Sequence, residues 1–205
     1  TFAFDNGRVL GQHMNIEGSL ERMVNSVLPH EVTHTVFAHY FRHPVPRWAD
    51  EGGAVLSEDE IEKNRHDQLV RQILNSHREM PLRRLFSLRD YPQDVMVLYA
   101  QGFSVANFLV GTSSKPAFLA FVAQGMQSPG GWDQAIQSHY RYRNVEELEQ
   151  AWLTHLRNTR LLPPMILHVA ATPAATFLAS VRATKTPPQP CSPQYRIKHF
   201  WRETK

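Results

Sequence analysis

His30-Glu31-Val32-Thr33-His34 is the stretch whose residue types and spacing could do chemistry. Pro29, just ahead of it, suits the first turn of a helix. The four-residue spacing then predicts both imidazoles on one helix face, about 5–6 Å apart at Cβ. Two neutral ring nitrogens at that separation can converge on one Zn²⁺ at about 2.0–2.1 Å. Glu31 is turned by about 100° around the axis from His30. It is therefore too far round to be a third ligand and well placed to touch a water held by the ion. Hydrolysis needs this division of labour: nitrogen donors to hold the metal and a carboxylate to take a proton from the attacking water. At this chain's own His and Glu frequencies, about 0.03 such matches arise by chance. The plain alternative is a solvated helix face with two surface histidines.

A hydrolytic zinc site also needs a third protein ligand and one open position. His43-Pro44-Val45-Pro46 is expected to stop the first helix near Phe41 and to return the chain as a second helix from about Arg47 to Leu56. Glu51, on that second helix, follows His34 by 17 residues. Gly52-Gly53-Ala54 come next, small side chains of the kind close helix packing needs. Glu51 is otherwise an ordinary acid in an acidic stretch with Glu58, Asp59 and Glu60. Asp50 either receives the second N–H of a ligand histidine or is an exposed carboxylate. His39 falls about 180° round the helix from His30 and points away from the metal. His39 and His43 form another four-residue pair, read as structural or solvated. His13, on a predicted strand, could face the cleft.

The His30–His34 pentad followed by Trp48-Ala49-Asp50-Glu51-Gly52-Gly53-Ala54 resembles the gluzincin zinc metallopeptidases, whose ligand Glu often sits in a Trp-x-x-Glu-Gly-x-Ala stretch. That resemblance implies His30, His34 and Glu51 as metal ligands and Glu31 as general base. Tyr99-Ala100-Gln101-Gly102 is similar to the family's Tyr-x-x-Gly stretch, which implies that Tyr99 steadies an oxyanion. On the residues alone, Tyr99 also fits a core position beside Phe103, Ala106 and Leu109. Leu28-Pro29, the Tyr99 stretch and the run from Trp132 through Tyr140 to Trp152 look like the peptidase-MA-like domains of bacterial proteins, over residues 1–158. Such domains border the cleft with a β-strand. Here that strand would be Val9 to Ile16, which would bind a peptide by strand addition through Val9, Leu10, Gly11, Gln12, His13 and Met14 or be a sheet strand with no substrate role. The Gly-x-Met-Glu-Asn signature of the aminopeptidase members is only echoed at Gly11–Asn15, without its glutamate. The metzincin pattern fails, because its glycine and third histidine positions hold Phe37 and Tyr40.

The elements that must position these residues follow from pattern and punctuation. Asp5-Asn6-Gly7 predicts a hairpin between two short extended segments. Gly18-Ser19 offers a cap for a helix from Leu20, and Pro29 a new helix as far as Phe41. Further helices are expected over about 58–76, 94–111, 115–125, 131–140 and 145–158, the last capped by Asn144. The expectation is an α+β domain over residues 1–160, mostly helical and zincin-like, with a small N-terminal β-sheet or edge strand. A Pro/Ala-rich basic tail or linker would fill 161–205.

Composition sets the outer limits. The 205 residues are 42% hydrophobic and 20% charged, ordinary for a globular chain. The lone Cys191 excludes an internal disulfide framework and a Cys₄ metal site. Net charge is +3, with residues 1–60 at −5 and the rest at +8. The basic excess is diffuse and mostly in the tail, so nucleic acid is not an expected partner. Leu161 to Val181 is uncharged, but Pro163, Pro164 and Pro173 argue against a membrane span. Thr1 opens the chain without an apolar leader, the expectation for a fragment or processed product, with compartment and oligomeric state left open. The expected function is zinc-dependent hydrolysis of a peptide or protein substrate. The alternatives are a catalytically silent zinc-binding accessory domain and a metal-free helical interaction domain.

Overall fold

Asn6 and Gly7, at φ 47° and 74°, occupy the two left-handed positions of a tight hairpin turn. They join β1 (Phe2–Asp5) to β2 (Arg8–Gln12) in an antiparallel pair. The register passes from Ala3↔Gly11 to Phe4↔Val9, so Leu10 is a bulge residue with no partner opposite. The computed structural model describes residues 2–12, 16, 19–127 and 130–159. His13, Met14 and the tail expected over 161–205 lie outside the described residues.

The new helix expected at Pro29 is instead part of one helical run. α1 (Leu20–Arg22) continues through a π turn at Met23–Val27 into α2 (Leu28–Phe41), and Val27 and Leu28 both keep right-handed helical angles. The Leu28 N–H reaches back to the Met23 carbonyl, five residues away. This wider turn accommodates Pro29, which has no N–H to give and a ring that crowds an ordinary preceding turn. α2 ends where Arg42 adopts a left-handed angle, φ 59°, and its N–H caps the Ala38 carbonyl. The Pro44–Pro46 connection then starts α3 (Arg47–Val55), which packs against α2.

α4 (Glu60–Asn75) begins two residues later than expected, because Asp59 is its cap and accepts the Glu62 N–H at 2.9 Å. α5 (Leu82–Ser87) was not foreseen, since six residues are too few to show a helical period. α6 (Val95–Thr112), α7 (Lys115–Gly125), α8 (Gly131–Tyr140) and α9 (Val145–Asn158) match the expected spans to within a residue. Asn144 caps α9 by accepting the Glu147 N–H at 2.9 Å. The described residues are thus mostly helical with a small two-stranded N-terminal sheet, an α+β architecture.

α6 is the one described helix long and apolar enough to cross a membrane, and 56% of that window is buried inside the fold. It packs on α3, α4, α7 and α9 as the central core helix. Trp48, Phe86, Phe121 and Trp132 form an aromatic cluster at the start of α3, with Trp48 stacked on Phe86 at 4.3 Å. Trp152 donates from its indole to Ser104 in the buried α6–α9 contact.

The contact that fixes the site is between α3 and α6. A Cβ added to Gly52 would lie 2.3 Å from the Gly102 carbonyl, and one added to Gly102 would lie 2.7 Å from the Trp48 carbonyl. The two backbones meet with no side chain between them, one residue from Glu51 and three from Tyr99. Gly52→Ala should force the helices apart, costing about 1–3 kcal/mol. Thermal unfolding should show a lower Tm for Gly52→Ala. Gly111→Ala, in open space at the far end of α6, should hold or raise it.

Candidate metal centre

α2 delivers His30 and His34 on one face, with ring centroids 4.8 Å apart. Each imidazole is oriented by a carboxylate. His34 Nδ1 donates to Asp50 Oδ1 at 2.7 Å, and His30 Nδ1 donates to Glu58 Oε1 at 2.6 Å. With Nδ1 carrying the proton, the Nε2 lone pair of each ring is available as a ligand. Asp50 is therefore not an exposed carboxylate but the partner of His34.

Glu51 enters from α3, only 3% exposed. Its Oε2 stands 3.4 Å from His30 Nε2 and 3.6 Å from His34 Nε2. Ligand atoms about 2.0–2.1 Å from a tetrahedral zinc are about 3.3 Å apart, so these separations are close to two edges of such a tetrahedron. That oxygen is buried and has no hydrogen-bond partner. A buried carboxylate oxygen facing two imidazole nitrogens is compensated either by protons on those rings or by a cation shared with them. His30, Glu31 and His34 likewise bring one donor atom each within 4.8 Å of one another, a group that could hold a metal ion. Between the two glutamates, Glu51 is the better third donor. Its Oε2 is buried and lies 3.4 and 3.6 Å from the two rings, whereas Glu31 is partly exposed on α2 itself.

Electrostatics follow from this packing. Burial disfavours a charged His30, but the Glu51 and Glu58 carboxylates outweigh it and hold the imidazole up at about 10 in the metal-free chain. His34 is also raised, burial again being outweighed by Asp50 and Glu51. Burial would raise Glu51, yet the two histidines and a hydrogen bond from Tyr91 bring it down to about 2. Tyr99 lies with its ring parallel to those of His30 and His66, at 6.4 Å and 6.5 Å. Burial and the Glu51 charge push its hydroxyl far up, so it stays a donor.

Three neighbours of the site were not singled out in the sequence. Glu58 looked like one acid among several, although the Asp59–Glu62 spacing marks a helix cap and so leaves Glu58 in the turn before α4. Tyr91 comes from the α5–α6 connection, 40 residues from Glu51, and donates to its Oε1 at 2.5 Å. No local pattern announces it. His66 on α4 is half-buried, with its Nδ1 shielded from solvent and unpartnered, and burial lowers its pKa. His39 and His43 are exposed, as a solvated pair should be. Val9, Leu10, Gly11 and Gln12 lie on β2, which runs beside α2. Among the described residues no strand pairs with the second edge of β2. A cleft of about 1250 Å³ lined by Tyr40, Pro46, Phe86 and Trp132 touches none of the candidate ligands.

Comparison with family models, with curated proteins and with solved structures finds no match. The site therefore stands on its own geometry.

A raised His30 stabilises the metal-free fold fully below pH 6.5, and that contribution is lost as pH rises through about 10. The depressed Glu51 contributes above pH 4.5 and is lost as pH falls through about 2. A metal ion held by His30 would displace its proton at neutral pH, releasing about one proton or more per ion. Titration calorimetry in two buffers of different ionisation enthalpy should show that release, with affinity rising from pH 6.5 towards 10.

Proposed function

We propose that this chain is a zinc-dependent peptidase of gluzincin type. The observation that carries the reading is the bare, buried Oε2 of Glu51 facing two histidine nitrogens whose rings are oriented by Asp50 and Glu58. Two imidazoles and one carboxylate oxygen are a donor set that suits zinc, with three protein ligands and one position for solvent or substrate. Zinc held by His30, His34 and Glu51 would supply a Lewis acid that acidifies water and polarises a carbonyl.

The chain's own groups account for the remaining chemistry. Glu31 stands beside the two ligands on the partly exposed side of α2, where its carboxylate takes a proton from the attacking water. It returns that proton to the leaving amine, so that one group serves as base and then as acid. Tyr99 remains protonated and supplies a hydrogen bond to the negative oxygen that develops on the substrate carbonyl. β2 offers its second edge to an extended peptide, whose backbone would pair with Val9 to Gln12. The substrate is a peptide or protein.

The experiment is a pair of variants assayed for metal content and for chelator-sensitive cleavage of a peptide library. Glu31→Gln should retain zinc and lose cleavage by roughly 10²–10⁴-fold, whereas His34→Ala should lose both. Zinc bound at one per chain with no cleavage of any peptide would turn the reading to a silent zinc-binding domain. Cleavage by Glu31→Gln at the wild-type rate would remove Glu31 from the mechanism.

A further inference from the structure

Glu51 has two carboxylate oxygens, and the fold treats them differently. Oε2 faces His30 and His34 without a hydrogen bond, while Oε1 accepts the Tyr91 hydroxyl at 2.5 Å. Tyr91 is itself held in place. The Arg47 guanidinium sits over its ring, 4.7 Å from the centroid, and approaches Asp50 Oδ2 at 3.7 Å. Asp50 in turn accepts the Nδ1–H of His34 on its other oxygen. The connections thus form a loop from His34 through Asp50, Arg47 and Tyr91 to Glu51, closed across the space where the ion would sit.

We infer that Tyr91 is a positioning residue that reserves a single oxygen of Glu51 for the ion, and so holds the centre to four ligands. This rests on the reading of His30, His34 and Glu51 as the ligands. A carboxylate with both oxygens free can grip a cation in bidentate fashion, adding a ligand and filling the position that water or substrate needs. For Oε1 to join the ion here, it must give up a charge-assisted hydrogen bond in a place almost closed to solvent. Four-coordination favours zinc and cobalt(II). Calcium and magnesium, which demand six or more oxygens, are disfavoured. Tyr91 and Tyr99 both approach Glu51: Tyr91 donates to Oε1, and Tyr99 also lies against the His30 ring.

The test is Tyr91→Phe in the full chain, read with cobalt(II) as a spectroscopic probe and zinc for affinity. Wild type should show the intense visible bands of tetrahedral cobalt(II). Tyr91→Phe should show the weaker bands of five or more ligands and bind zinc roughly 10–100-fold more weakly. Wild-type spectrum and wild-type affinity in Tyr91→Phe would overturn the inference while leaving the three ligands in place. Failure of the wild-type chain itself to bind cobalt or zinc would instead overturn the ligand reading on which it rests. A measurement that needs no variant stands beside these. X-ray absorption of the zinc-loaded wild type should count about four nitrogen and oxygen neighbours near 2.0 Å, and five or six would overturn the inference.

Discussion

A carboxylate at 3% exposure must be compensated, and nearly everything around Glu51 serves that requirement. Removing an ionised oxygen from water is costly, and the fold offsets it with two imidazoles and a phenol hydrogen bond. In the metal-free chain the positive charge comes from protons on the histidines, which the surrounding acids hold in place. A divalent cation held by Oε2 and both Nε2 atoms, as proposed, would supply the same compensation. Protons and metal would then compete for one buried negative charge.

Assembly is enforced from two sides. On one, the Gly52–Gly102 approach brings α3 against α6 and sets Glu51 and Tyr99 across from each other. On the other, the helical run from the π turn into α2 is tied to the α3–α4 turn once per helical turn. Ser26 donates to Asp59, His30 to Glu58 and Thr33 to Ser57. Residues 26, 30 and 33 share a helix face and meet 59, 58 and 57 in reverse order. His30 is the middle rung, so its ring is oriented by the same ladder that docks the helix.

Much of this was legible in the sequence. The His30–His34 spacing, the Pro-rich return and the small residues after Glu51 are local signals, and each has a local physical cause. The last long helix could be read from its Asn144 cap, and in the structure Asp94 and Ser114 cap α6 and α7 in the same way. Contributions that depend on distant chain were not legible. Tyr91 reaches Glu51 from a connection with no pattern of its own. Glu58 acts only because Asp59 takes the cap and turns its neighbour back towards α2. The break expected at Pro29 did not occur, since one widened turn can absorb a proline that an ideal helix cannot.

That widened turn has a bearing on how chain length can vary. A π turn is in effect an α-helix carrying one surplus residue. Loss of a single amino acid between Met23 and Asn25 would restore the ordinary repeat without moving Ser26, His30 or His34 along their ladder. The register change would be absorbed upstream, swinging α1 by about 100°. The His30–His34 face is thus insulated from a one-residue deletion on its N-terminal side, which the hairpin end of the fold would absorb.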